Sequence, residues 1–159
     1  MITEIKKDLL SSDLDAIAHC ANCFCTMGSG IARQIKLKLP EAYDVDLKTR
    51  AGDKFKFGNF SMAEITKPKM ETQIKYVYNL YGQFFYGRES RKLNYESIYT
   101  ALDLMRLDCI TKPIKTIGFP RNMGCNLAGG HFPIVLEMIK HIFEESPFEV
   151  TICEYGDIK

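Results

Sequence analysis

The sequence predicts an α/β fold in which a mostly parallel central sheet carries helices on both faces. Short apolar segments of strand length alternate along the chain with segments of helical periodicity, as in sheets whose parallel strands are joined by helices. Two glycine-containing loops, residues 22–30 (loop 1) and 120–130 (loop 2), each lead from a predicted strand into a predicted helix. We find no repeat, low-complexity tract or linker, so we predict a single domain over residues 1–159.

Six segments have the composition of strands. Residues 15–21, with the sequence DAIAHCA, form a short apolar run typical of a strand buried on both faces. Residues 74–80 are rich in Tyr, Val and Ile, which favour strands. In chain order, the strands are predicted at residues 2–6, 15–21, 60–66, 74–80, 114–119 and 148–153.

Four helices are predicted between these strands. The first occupies residues 31–39, where Pro40 stops it, and the second occupies residues 41–50, closed by Gly52. The third and fourth show the i, i+3, i+4, i+7 spacing of one buried helical face. Their apolar positions are Tyr95, Ile98, Tyr99 and Leu102 in the third helix, and Val135, Met138, Ile139, Ile142 and Phe143 in the fourth.

The overall charge gives no reason to expect broad electrostatic binding to nucleic acid or to a membrane. The chain has 21 Lys and Arg against 20 Asp and Glu, so a bound anion must be held by a local arrangement. No stretch approaches the roughly 18 apolar residues of a membrane span, and the first ten residues lack the apolar run of a signal peptide. We therefore expect a cytoplasmic protein whose six cysteines are free thiols.

Loop 1 and loop 2 are the predicted ligand-binding segments. Glycine lets the backbone approach a ligand closely, and the start of a helix offers free N–H groups and a positive dipole end to a phosphate. In parallel sheets ligands bind beyond the carboxyl ends of the strands, so the two loops can hold an extended diphosphate from both sides. For either loop alone, an ordinary tight turn between strand and helix stays open.

A dinucleotide-binding Rossmann site is disfavoured. Gly28 and Gly30 match the first two glycines of that fingerprint, but Arg33 occupies the third position. The acidic residue expected about 20 positions further on has no convincing place, because that region is predicted to be helical.

A zinc site is also disfavoured. Four potential ligands lie close together in His19, Cys20, Cys23 and Cys25, but a second well-spaced ligand pair is missing. His19 and Cys20 would point to opposite faces of a strand. We predict neither a metal nor a cofactor, and we expect buried thiols.

An aromatic run raises the question of base stacking on nucleic acid. It comprises Tyr76, Tyr78, Tyr81, Phe84, Phe85 and Tyr86. Stacking platforms for nucleic acid normally accompany a positively charged groove, and no basic stripe accompanies this run. We therefore expect a core strand that continues into the cleft.

Three blocks of sequence, in this order along the chain, point to a known family. They are AHCAN (18–22) with MGSGIA (27–32); YNLYGQ (78–83) with YGR (86–88) and NYE (94–96); and GCNLAGG (124–130). Together they resemble the macrodomains, in particular the branch of ADP-ribose 1''-phosphate processing proteins. The resemblance covers nearly the whole chain and implies a three-layer α-β-α fold that binds ADP-ribose or ADP-ribose 1''-phosphate; we further expect a monomer.

The resemblance also implies roles for matching residues. Asp8 looks like the aspartate that accepts a hydrogen bond from the adenine amino group, with Leu9 as a backbone contact and Tyr155 near the adenine. Asn22 is similar to the asparagine that positions the distal ribose. Further substrate-binding residues are expected at Met27, Gly28, Ser29, Gly30, Ile31, Gln83, Met123, Gly124, Cys125, Asn126, Leu127 and Ala128.

Departures from the family pattern bear on the reaction. Gln83 stands where ester-cleaving macrodomains place a catalytic lysine, and Ala128 stands where they carry an aspartate. A covalent lysine mechanism is therefore disfavoured. The usual Gly-Gly-Asp-Trp is GGHF at 129–132, and Asn126 replaces a glycine often found earlier in the loop.

The leading hypothesis is hydrolysis of ADP-ribose 1''-phosphate to ADP-ribose and phosphate. Asn22 would orient the distal ribose and a positioned water would attack, with His131 or His19 as the candidate general base. Two alternatives stay open: removal of ADP-ribose from a modified protein or nucleic acid, and recognition of ADP-ribose without turnover.

Overall fold

A six-stranded sheet forms the centre of the computed structural model, which describes residues 1–67, 69–87 and 90–154. The strands lie in the order β1-β6-β5-β2-β4-β3. All neighbours are parallel except β3 and β4, which are antiparallel. The strands are β1 (Ile2–Lys6), β2 (Ala16–Cys20), β3 (Phe60–Glu64), β4 (Tyr76–Leu80), β5 (Thr116–Pro120) and β6 (Glu149–Glu154).

Helices cover both faces of this sheet. They are α1 (Gly30–Lys38), α2 (Pro40–Leu47), α3 (Tyr95–Ile110) and α4 (Phe132–Phe143). Because successive strand residues point to opposite faces, Ala16 and Ala18 pack in the core with α3 and α4, whereas Ile17 packs with α1 and α2. The predicted mostly parallel α/β sheet with helices on both faces is confirmed.

Several element boundaries differ from the predicted ones. The second helix was expected at 41–50 but begins at Pro40, which is tolerated in a first helical turn. It ends at Leu47, where the Thr49 hydroxyl donates to the Asp46 carbonyl at 2.6 Å and the chain turns away. Strand β4 starts at Tyr76, two residues later than predicted, because Ile74 belongs to the connection from β3.

The strand order brings three connections together at one edge of the sheet. Strand β2 lies between β5 and β4 and is parallel to both. The carboxyl ends of these three strands therefore meet at this edge. Loop 1 after β2, loop 2 after β5 and the segment that follows β4 meet there as well.

None of the helices within the described residues combines the length and the apolar composition of a membrane span. The single domain, the monomer and the cytoplasmic location stay predictions.

Candidate functional site

A cleft of about 440 Å³ lies at this carboxyl edge of β5, β2 and β4. Loop 1 and loop 2 form two of its walls, and residues 83–87 form the third. The predicted site residues that line it are Asn22, Gly28, Ser29, Gly30, Ile31, Gln83, Met123, Gly124, Asn126, Leu127 and Ala128. The two glycine loops thus face the same cavity.

Loop 1 presents backbone to the cleft. A Cβ atom added at Gly28 or Gly30 would meet nothing within 4 Å, so the space in front of both residues is open. Helix α1 begins at Gly30, and its N-cap residue Ser29 makes no side-chain hydrogen bond to the helix. The first N–H groups of α1 are therefore free to bind an anion in the cleft.

The side chain of Asn22 shapes loop 1 from within. Its Oδ1 accepts from the backbone N–H of Phe24 at 2.8 Å. Its Nδ2 donates to the carbonyl and to the hydroxyl of Thr26, at 3.0 and 2.7 Å. Asn22 is buried and also lines the cleft.

Loop 1 is anchored on α2 and the turn that follows it. The Cys25 thiol donates to the Asp46 carbonyl at 3.2 Å, and the Tyr43 hydroxyl donates to the Cys25 carbonyl at 3.2 Å. The Gly52 N–H donates to the Cys23 carbonyl at 2.7 Å. These contacts hold Cys25 at a φ of 59°, a conformation that non-glycine residues seldom adopt.

Loop 2 is packed tightly against the segment that precedes α3. A Cβ atom at Gly130 would lie 2.3 Å from the Leu93 side chain and 2.8 Å from the Gly124 carbonyl oxygen. The Ala128 carbonyl accepts from the N–H groups of Lys92 and Leu93, at 2.7 and 3.0 Å. Loop 2 is therefore held against the segment before α3 by close packing and by two backbone hydrogen bonds.

The third wall follows β4. Gln83 Nε2 donates to the Phe85 carbonyl at 3.0 Å, and the Cys20 thiol lies 3.8 Å from Gln83 Oε1. Burial raises the pKa of Cys20 to about 12, so this cleft-lining thiol is neutral at physiological pH. Phe85 and Tyr86 stack with ring centroids 4.3 Å apart, and Tyr86 lines the cleft. The expected continuation of the aromatic strand into the cleft is observed.

The structure does not bring His19 to the cleft. It is fully buried in β2, and its Nε2 donates to Asn79 Oδ1 at 2.6 Å. The Asn79 amide nitrogen in turn donates to the Ala42 carbonyl and the Ser61 hydroxyl. Burial lowers the pKa of His19 to about 4. His19 shares its face of the sheet with Ile17, under α1 and α2, so it cannot take a proton from a water in the cleft.

His131 also lies outside the cleft lining. It is an exposed residue before α4, and its backbone N–H donates to the Tyr95 hydroxyl at 2.9 Å. It contributes to a separate, shallow groove with Tyr99 and His141. The described residues that line the cleft include no His, Asp, Glu or Lys, and Arg121 is the one that carries a charge. The burial of His19 thus corrects its prediction as a general base, whereas the role of His131 stays a prediction.

Four other predicted residues lie outside the cleft lining, although no observation tests their roles. Asp8 accepts from Leu10 N–H at 3.1 Å and from Ser11 Oγ at 3.0 Å, at the carboxyl end of β1. Leu9 and Met27 are buried in the core with α1. Cys125 is half-buried, and its thiol donates to the Met123 carbonyl at 3.2 Å. Tyr155 lies outside the described residues.

Several residues that line the cleft were given no role by the sequence reasoning. Most are immediate neighbours of predicted ones, so treating each loop as a whole would have found them. They are Cys20, Ala21, Thr26, Ala32, Tyr86, Gly87, Pro120, Arg121 and Asn122. The described residues contain no group of three or more His, Cys, Asp or Glu side chains arranged to bind a metal ion.

Sequence comparisons give relatives along the whole chain, although no family model matches it. An uncharacterized 17.5 kDa protein from the tk-vs intergenic region of Enterobacteria phage T4 is 32% identical, over 98% of this chain and 97% of its own length. The human protein named ADP-ribose glycohydrolase OARD1 is 27% identical, over 95% of this chain and 90% of its own length.

Solved structures show the same fold. The macrodomain of Mycobacterium tuberculosis DarG superposes with a TM-score of 0.81 at 20% identity, covering 99% of both chains. Thermosipho africanus DarTG in complex with ADP-ribose gives a TM-score of 0.79 at 16% identity, covering 99% of this chain and 42% of that one.

Proposed function

This chain belongs to the macrodomain family, and from that premise we propose that its cleft binds ADP-ribose and that the protein hydrolyses a bond at the distal ribose. The open backbone cradle at Gly28 and Gly30 carries the proposal, because it combines free space with the unpaired N–H groups that begin α1. The relative named ADP-ribose glycohydrolase and the DarTG structure in complex with ADP-ribose support the same ligand.

The ligand's direction follows from the two ends of the cleft. The diphosphate lies between loop 1, which presents backbone at Gly28 and Gly30, and loop 2. Asn22 contacts the distal ribose, next to Gln83 and Tyr86 in the third wall. The adenine extends past the cleft lining towards Asp8, at the carboxyl end of β1, with Leu9 and Tyr155 as its other proposed contacts.

The bond that we propose is cleaved is the phosphate ester of ADP-ribose 1''-phosphate. The described cleft lining offers no carboxylate, imidazole or lysine to act as a base. The 1''-phosphate brings its own oxygens, which can accept a proton of the attacking water and pass it to the ribose 1''-oxygen as the P–O bond breaks, so that the products are ADP-ribose and phosphate. Loop N–H groups stabilise the charge that develops on the phosphate. Gln83 stands in place of the catalytic lysine of ester-cleaving macrodomains and cannot form a covalent adduct with the substrate. The water therefore attacks the phosphorus directly.

Two further functions each have an observation in their favour. Removal of ADP-ribose from a modified protein or nucleic acid accords with the printed name of the human relative. Recognition without turnover accords with the lack of an ionisable base among the described lining residues. All three functions require the same ADP-ribose site.

Binding is tested first, by thermal unfolding and by calorimetry. A ligand that binds only the folded state at a hundredfold excess over its Kd stabilises it by about 2.7 kcal/mol, which raises the Tm of a domain of this size by several degrees. ADP-ribose should exceed AMP, which lacks the distal ribose, and NAD, whose nicotinamide occupies the place where loop 2 closes. A flat response to ADP-ribose would remove the proposed ligand.

Turnover separates the three functions. The protein is incubated in parallel with ADP-ribose 1''-phosphate, an ADP-ribosylated peptide and an ADP-ribosylated oligonucleotide, and free phosphate and free ADP-ribose are measured. Phosphate release from the first alone supports the phosphatase. ADP-ribose release from either conjugate supports the glycohydrolase, and binding without any release supports the reader. Gly28→Val, which fills the cradle, serves as the inactive control.

A further inference from the structure

The cleft contains one formal charge among its described lining residues, on Arg121. The diphosphate of the proposed ligand is negatively charged at neutral pH. The N-terminus of α1 and the loop N–H groups supply only partial charges to balance it. Arg121 is one of the lining residues, but Glu4 and Phe132, the partners of its guanidinium, are not. The side chain must therefore turn away from these two residues to bring its full positive charge to the ligand.

Arg121 is held at the junction of β5 and loop 2. Its backbone N–H donates to the Cys153 carbonyl at 2.9 Å, which ties this position to β6. The guanidinium lies 5.7 Å from the centre of the Phe132 ring. Its Nη1 donates to the Glu4 carboxylate of β1. Among the described residues, Glu4 supplies the hydrogen-bond acceptor of this guanidinium, which leaves further N–H donors for a ligand.

The ion pair between Arg121 and Glu4 is solvent-accessible on both sides. The two side chains are 40% and 47% exposed. Pairs of this kind are weak, because water screens both charges. A diphosphate that is already held by loop 1 and loop 2 brings two phosphates into the same cleft, and phosphate is a strong bidentate acceptor for a guanidinium.

We propose that Arg121 is the side chain by which this cleft selects an anionic nucleoside diphosphate over a neutral nucleoside, and that Glu4 competes with the ligand for it. The inference rests on the proposed ADP-ribose site. Arg121 contacts a diphosphate oxygen when the ligand is bound, and the Glu4 carboxylate is displaced. Glu4 thus weakens ligand binding, whereas Arg121 strengthens it.

The test is a double-mutant cycle measured by calorimetry with ADP-ribose and with adenosine. Arg121→Gln should weaken ADP-ribose binding by about tenfold, as expected for a charge-assisted hydrogen bond, and should leave adenosine binding unchanged. Arg121→Lys should recover part of the loss. Glu4→Gln should tighten ADP-ribose binding by about threefold, and should have little effect once Arg121 is already Gln.

Matched controls come from a second, partly exposed ion pair on α3. Arg106 and Asp103 lie 2.9 Å apart, outside the cleft lining. Arg106→Gln and Asp103→Asn make the same changes in net charge and should leave both ligands unaffected. Added salt should weaken ADP-ribose binding less in Arg121→Gln than in the unchanged protein. Circular dichroism and the Tm establish that each variant is folded.

The outcomes are distinguishable. If the unchanged protein does not bind ADP-ribose, the proposed function fails and this inference fails with it. If it binds but Arg121→Gln binds equally well, the inference alone is overturned. Equal losses for ADP-ribose and adenosine, or an equal loss in Arg106→Gln, would also overturn it, because the effect would then not come from recognition of the diphosphate by Arg121.

Discussion

Loop 1 and loop 2 both bring glycines to the cleft, but the glycines do different things. In loop 1 the space in front of Gly28 is open to the cleft. In loop 2 the space at Gly124 and Gly130 is filled by the Leu93 side chain, at 2.8 and 2.3 Å from the position of an added Cβ. Glycine in loop 1 leaves space for a ligand, whereas glycine in loop 2 leaves space for the Leu93 side chain. Glycine content alone does not separate these two roles.

Gly130→Ala should have the largest effect on stability. Its methyl group would overlap both the Leu93 side chain and the Gly124 carbonyl oxygen. We expect the free energy of unfolding to fall by about 3 kcal/mol, as for a severe case of overpacking. Urea denaturation measures the change. In the double variant Gly130→Ala with Leu93→Ala, the loss should be smaller than the sum of the two single losses, because the shortened side chain no longer overlaps the added methyl group. A fully stable Gly130→Ala protein would show that loop 2 is not packed as described.

Lowering the pH should reduce the free energy of unfolding by less than the Gly130→Ala substitution does. The pKa of His19 is about 4 in the folded protein and about 6.5 in an unfolded chain. As the pH falls below 6.5, the unfolded state binds a proton that folded His19 does not. The free energy of unfolding should therefore be lower by about 2 kcal/mol at pH 5 than at pH 7.5. Burial raises the pKa of Asp46, which opposes part of this loss as the carboxylate takes up a proton.

The measurement is urea denaturation across this pH range, with two histidine variants. His19→Gln removes the titrating group and should flatten the profile. His141→Gln removes an exposed histidine on α4 and should not change it. If the profile of the unchanged protein is flat, His19 is not the buried neutral group described above. Gly130→Ala should shift the whole profile without changing its shape, because loop 2 lies apart from His19.

Gly28→Ala should have the smallest effect on stability and a clear effect on the ligand. An added Cβ meets no atom within 4 Å, so the free energy of unfolding should change by less than about 0.5 kcal/mol. The methyl group enters the space proposed for the diphosphate, and ADP-ribose affinity should fall about tenfold by calorimetry, equivalent to about 1.4 kcal/mol. Unchanged affinity would place the diphosphate elsewhere. A loss of stability instead would make this glycine a packing residue, like those of loop 2.

Much of the fold followed from the sequence because its patterns are local. The run at 15–21 and the periodicity after Tyr95 correspond to β2 and α3, and the parallel order placed both glycine loops at one edge. The helical span of α2 was overestimated, because the Thr49 side chain turns the chain by a contact that no periodicity records. Boundaries depend on such individual contacts.

The site was predictable in position but less so in its side chains. Alternation along β2 shows that His19 and Cys20 face opposite ways, but not which of them faces the cleft. The apolar neighbours of His19 were a signal of burial. His131 contributes to a separate groove with Tyr99 and His141, and Tyr99 is distant from it in sequence. Arg121 was missed because a charged residue after a strand resembles an ordinary solvated one.

Two backbone amides outside the cleft can report whether loop 2 is open or closed, because they are hydrogen-bonded to it. Lys92 and Leu93 both donate to the Ala128 carbonyl, so their N–H groups are exposed to exchange with solvent when loop 2 lifts away. Hydrogen–deuterium exchange at these two positions therefore measures how often the loop opens. A ligand that holds loop 2 closed should slow exchange there, even though it touches neither residue.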